Sequence, residues 1–230
     1  MKVIKFLFIF LTGITYLITL SSIQSCKKDN SDTDSECDTC IVVYKPNIYL
    51  YPKENIQLTV NLDFPKGGKV IKSIPEYEKG WNVSVAKNGL INNSYSYLFY
   101  ESSQPDIWQR EYGWTINVNE LNSFFNKNLT TYGFKANEIE DFIKYWIPRL
   151  KENDYYSIYP QTKSIINKVI KLNISKKPDN ILRLFYLIEG KKTTKKINLK
   201  KPIIDNFKRE DFFVTEWGVI LKMIDDKQKK

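Results

Sequence analysis

Histidine is absent from all 230 residues. That absence excludes Ser-His-Asp and Cys-His catalysis, histidine-ligated zinc or iron, and imidazole general bases. Carboxylates are left as the natural acid and base groups. Cysteine is scarce, with three residues. Two of them, Cys37 and Cys40, form a C-x-x-C without further ligands, a poor zinc site, and neither a metal nor a cofactor is expected. Internal repeats are missing as well, and the one low-complexity tract is short. What is present is apolar and aromatic: 42% hydrophobic and 14% aromatic residues place the chain among folded globular proteins rather than disordered ones.

The one long apolar run is N-terminal. Met1 to Lys5 is short and basic, and Phe6 to Leu20, "FLFIFLTGITYLITL", has signal-peptide length, shorter than the roughly 20 residues that span a bilayer core. Ser21, Ser22 and then Ile23-Gln24-Ser25-Cys26 follow. An aliphatic residue three places before a cysteine, with a small residue directly before it, resembles the lipobox of bacterial lipoproteins. The resemblance implies that Cys26 carries a diacylglyceryl group, that Ser25 is the last residue removed, and that the new amino group is acylated. One acyl chain holds only marginally, whereas two or three on a single cysteine anchor stably. The alternative is an uncleaved transmembrane helix.

Residues 27–36, "KKDNSDTDSE", contain no apolar residue and read as a solvated tether. Cys followed by Lys-Lys-Asp and an acidic, Ser-rich run looks like the export signal of outer-surface lipoproteins in some Gram-negative bacteria. An extracytoplasmic, outer-membrane location is expected, with display on the cell exterior or periplasmic retention as the two orientations. In an oxidising compartment, Cys37 and Cys40 are expected to form a local disulfide.

The formal net charge is +9, and removing Lys2 and Lys5 with the leader leaves +7. Such a balance fits nucleic acid, an anionic membrane surface, an acidic polymer, or plain compositional drift in a chain rich in Lys, Asn and Ile. The lysine cluster at 191–201, "KKTTKKINLKK", has no interleaved aromatics and looks like a charged hairpin; no nucleic acid is expected.

Residues 41–101 read as β-structure. Runs such as "IVVY", "NIYLY", "KVIKSI" and "SYSYLFYE" are separated by turn signals at Lys45-Pro46, Pro52, Pro65 to Gly68, Lys79-Gly80 and Asn88-Gly89. Gln57 to Asp63 alternates, with Leu58, Val60 and Leu62 on one face. After Trp114 the pattern turns helical. Asn117 caps one expected helix, with Glu120 as in a capping box. A second covers "KANEIEDFIKYWIPRLKEN", with Ile139, Phe142, Ile143, Trp146 and Leu150 on one face and Pro148 interrupting it. "YYSIYPQ", "NKVIKLNIS", "NILRLFYLIEG" and "FFVTEWGVILK" return to strand. The expected class is α+β: a leader at 1–25, a lipidated tether at 26–40, a β-rich, sandwich-like subdomain at 41–114 packed on an α+β subdomain at 115–224, and a tail at 225–230.

Several strings taken together, "KPNIYLYP" (45–52), "IPEYEKGWNVSVAKNGLI" (74–91), "YLFYES" (97–102), "IKYWIPRLKEN" (143–153), "KPDNILRLFY" (177–186) and "FVTEWGV" (213–219), resemble a widespread family of uncharacterised bacterial extracytoplasmic proteins. The resemblance covers nearly all the chain after the tether and implies one integrated folding unit, with no activity attached. Where such proteins often have Trp and then Glu-Gly after "YLF", this chain has Tyr100, Glu101 and Ser102.

Three groups of residues can carry chemistry. Glu101 ends an aromatic strand and Glu216 sits beside Trp217. A carboxyl among aromatics suits a general acid, and two of them roughly 5–9 Å apart can cleave a glycosidic bond; the alternative is a pair of strand-end carboxylates bound to Lys or Arg. Arg149 can fork onto either glutamate or hold an acidic ligand. The loop "SQPDIWQREYGW" brings Trp108, Arg110, Tyr112 and Trp114 together without periodicity, as binding loops do, and its rings are candidates for sugar or peptide contact. The leading expectation is a lipid-anchored, non-enzymatic module that binds glycan, peptidoglycan or an envelope protein. The alternative is a carboxylate-dependent glycan-cleaving enzyme.

Overall fold

β1 (Cys40–Tyr51) is an interior strand of the larger sheet. It pairs antiparallel with β5 (Leu98–Pro105) on one side and with β10 (Phe213–Lys222) on the other. β9 (Asn180–Lys191) runs parallel to β10, followed outward by β7 (Tyr155–Thr162) and β6 (Trp114–Asn117). With β3 (Lys69–Ile74) at the opposite edge, the order is β3-β5-β1-β10-β9-β7-β6. A second sheet has the order β4-β2-β8, formed by β4 (Trp81–Val85), β2 (Ile56–Asp63) and β8 (Lys171–Ile174). The computed structural model describes residues 40–192, 199–205 and 207–222. The leader, Cys26, the tether, Cys37 and the tail lie outside them.

The large sheet is covered on both faces, which explains why its central strands read as continuous apolar runs rather than alternating ones. On one face Tyr49, Tyr186, Ile188, Trp217 and Val219 meet α1 (Leu121–Tyr132) through Leu121, Phe125 and Leu129, and α2 (Ala136–Trp146) through Ile139, Phe142 and Trp146. On the other face Ile48, Leu50, Leu98, Phe185 and Ile220 meet Leu58, Val60 and Leu62 of β2, Trp81 and Val83 of β4, and Ile166 of α3 (Lys163–Val169). The class is mixed α+β, with strands dominating the N-terminal part and helices in the C-terminal half. The described residues group as one unit, and the large sheet draws strands from both sides of position 114.

Local chemistry explains most boundaries. α1 stops where Gly133 takes a φ of 104° and returns its N–H to the Leu129 carbonyl. Asn117 caps a short 3-10 turn at 118–120, not α1 itself, by accepting from the Asn119 amide at 3.0 Å. α2 ends before the Ile147–Arg149 turn that holds Pro148, so the proline divides the expected helix. Two expectations change. Lys45-Pro46 does not separate two strands but forms a bulge within β1. "NKVIKLNIS" is not all strand, because its first three residues close α3. Among the described residues no helix is long and apolar enough to cross a membrane. Cys40 is disulfide-bonded, and Cys37, its expected partner, lies outside the described residues.

Candidate functional site

The bulge in β1 is the starting point. Its register shifts against β10 between Tyr44 and Asn47, and against β5 between Val43 and Asn47. Pro46 has no amide hydrogen to give to either ladder, and Lys45 takes a left-handed φ of 55°, which costs a side-chain-bearing residue about 1–2 kcal/mol. Bulges commonly re-aim a side chain next to a site. Here the bulge brings the Lys45 ammonium among aromatic rings: 4.5 Å from the centroid of Phe99, 4.7 Å from Tyr97 and 5.5 Å from Tyr145.

These rings line a cleft of about 410 Å³, within the range of small-ligand sites. Phe99 and Glu101 come from β5, Lys72 and Ile74 from β3, and Tyr145 from the end of α2. Ser94 to Tyr97 form a further wall. They reach it through a tight turn in which Asn92 and Asn93 take φ of 49° and 55°, a conformation asparagine tolerates better than most residues, and in which Ile91 and Tyr95 exchange backbone hydrogen bonds. The Lys45 ammonium donates to Asn47 Oδ1 and to the Tyr97 hydroxyl, each at 3.3 Å. Burial pulls its pKa down, and the charges of Asp141 and Glu101 oppose that pull. Behind it the Tyr49 hydroxyl donates to Asp141 at 2.8 Å, and burial pushes the Tyr49 phenol well above its usual range. Arg149 lies 3.8 Å over the Tyr145 ring and donates to the Tyr145 carbonyl, which holds that ring in place.

The sequence-derived candidates are distributed as follows. Glu101 lines the cleft. Glu216 does not: it is fully buried on the opposite face of the sheet, where it forms an ion pair with Arg183 and accepts from the Tyr100 hydroxyl at 2.8 Å. Tyr100 and Glu101 are neighbours in one strand and point to opposite faces. The two glutamates are therefore not brought together as an acid and base pair. Arg183, and not Arg149, is the cation that Glu216 receives.

The 103–114 loop is tied down rather than open. Trp108 is 4% exposed and packs against Phe185 in the core between the sheets, so it presents no ring to a ligand. Trp114 is half-buried and meets Phe124 edge-on. Arg110 is clamped between Asp106 at 2.8 Å and Glu189 at 3.0 Å. Burial alone would raise the Asp106 pKa, but Arg110 outweighs it and holds the carboxyl below its usual range. Tyr112 is the exposed ring of this loop, with Lys200 above it.

Among the described residues no group of three or more cysteines and carboxylates is placed to hold a metal ion. No protein-family model matches the chain, and searches of curated proteins and of solved structures return no match. Sequence reading missed Lys45, Lys72, Phe99 and Tyr145. Of the cleft residues, Glu101 alone is a candidate from the sequence, as a carboxylate. The one local signal for the rest is Lys-Pro inside an otherwise unbroken run of strand formers.

Proposed function

We propose that the protein is a binding module of the bacterial envelope, lipid-anchored at Cys26 and extracytoplasmic, and that the cleft around Lys45 takes a glycan. The observation that carries this reading is the cleft itself: a left-handed lysine within a strand bulge, among three aromatic rings, opening onto a cavity of about 410 Å³. Strain of this kind persists where the surrounding structure over-determines it, and it clusters at ligand sites. The lipobox at Ile23 to Cys26 and the charged tether after it support an outer-membrane location within reach of peptidoglycan and surface polysaccharide. The placement of Glu101 and Glu216 on opposite faces favours holding a glycan over cutting it by that pair, which in hydrolysis would have to flank one bond.

Co-sedimentation of the full chain with purified peptidoglycan, and with insoluble surface polysaccharide from the source cell, tests the reading. We expect retention on one of them, reduced about tenfold by Tyr145→Ala or Tyr97→Ala, in line with the 1–3 kcal/mol that a contact ring carries. Retention that neither substitution weakens would place the ligand elsewhere.

A further inference from the structure

Resting on the cleft reading above, we propose that the ligand is an acidic glycan, its sugar carboxylate held by Lys45 and Lys72. Both ammonium groups stand by one ring, at 4.5 and 5.9 Å from the Phe99 centroid, and both line the cleft. Neither forms an ion pair among the described residues. Elsewhere Lys53, Lys144, Lys171 and Lys200 all find carboxylates. Lys72 faces Glu101 across the β3–β5 register without closing on it.

Lys45 has three donors, and its two hydrogen bonds go to neutral oxygens at 3.3 Å, near the limit of useful length. One donor is left over. A half-buried ammonium with no carboxylate in direct contact is costly: burial pulls this amine's pKa down, and the more distant charges of Asp141 and Glu101 offset only part of that pull. An incoming carboxylate would take the spare donor and neutralise two cations that repel each other. The aromatic faces are already engaged by cations, Tyr145 by Arg149 and Phe99 by both lysines. The cleft therefore offers charge set against low-dielectric walls more than bare rings for a neutral sugar, and charge-assisted bonds strengthen in such surroundings. Glu101, with Ser94 and Ser96, supplies acceptors for the hydroxyls of the same ligand.

Calorimetric titration of the full chain with trigalacturonate, with the disaccharide of N-acetylglucosamine and N-acetylmuramic acid, and with the methyl ester of each separates charge from ring shape. We expect at least one acid to bind about tenfold more tightly than its ester, and Lys45→Met and Lys72→Gln each to remove about that factor from the acid while sparing the ester. Lys72 is exposed on an edge strand, so its variant keeps the fold if Lys45→Met does not. Equal binding of acid and ester, unchanged binding in both variants, or no binding by either acid would overturn the inference. Peptidoglycan retention lost in Tyr145→Ala but kept in both lysine variants would also overturn it, and would leave the cleft reading standing. Retention indifferent to Tyr145 and Tyr97 would remove both.

Discussion

Glu216→Ala is expected to lower the unfolding free energy by about 3–5 kcal/mol, the cost of stranding one partner of a buried ion pair. Arg183 is 2% exposed, and besides Glu216 it donates to Asn167 Oδ1 at 2.7 Å and to the Ile170 carbonyl at 2.6 Å. Those two acceptors carry no charge, so without Glu216 the guanidinium sits in the inter-sheet core with its cation uncompensated. The Tyr100 hydroxyl loses its acceptor in the same step. Glu101→Ala, at the cleft wall and partly exposed, is expected to change stability by no more than about 0.5 kcal/mol. Urea unfolding of the two variants side by side reads the difference. If Glu216→Ala were as stable as the parent, the structural role given to Glu216 would be wrong.

Trp108→Ala is the second large effect, also about 3–5 kcal/mol, because it empties a volume the size of an indole beside Phe185. Ligand binding per folded molecule should be unaffected, since the ring lies in the core between the sheets and outside the cleft. Tyr112→Ala, on the exposed end of the same loop, should change stability little. The pair is checked by thermal unfolding combined with sedimentation on peptidoglycan. A stable Trp108→Ala that no longer binds would return this loop to the role its composition suggested.

Patterns written within one element are legible in the sequence, and that loop has none. Period-two alternation placed Leu58, Val60 and Leu62 on the buried face of β2, and helical spacing placed Ile139, Phe142 and Trp146 on the buried face of α2, because each pattern is written within one element. Residues 103–114 have no period, so whether Trp108 points in or out depends on Phe185 of β9, which meets it only after folding. Pairings are equally distant in sequence. Arg183 lies 33 positions from Glu216, and nothing local prefers it to Arg149. α3 is only seven residues long, too short for a helical repeat to outweigh its β-branched composition. The cleft joins residues from 45 to 145 in four separate segments. Only its Lys45-Pro46 corner leaves a local mark, and that mark reads equally well as a turn. Pro46 ends β pairing in either case; the flanking strands β5 and β10 make it a bulge.

If the cleft at the β1 bulge is the binding surface, ligand must slow amide exchange there and not elsewhere. The measurement is amide hydrogen exchange of the full chain, with and without soluble peptidoglycan fragments. Ligand is expected to add protection in 94–101 and at the end of α2 around Tyr145, with the 103–114 loop unchanged. Protection confined to 103–114, or to the outer face of the three-stranded sheet, would place the binding surface away from the cleft.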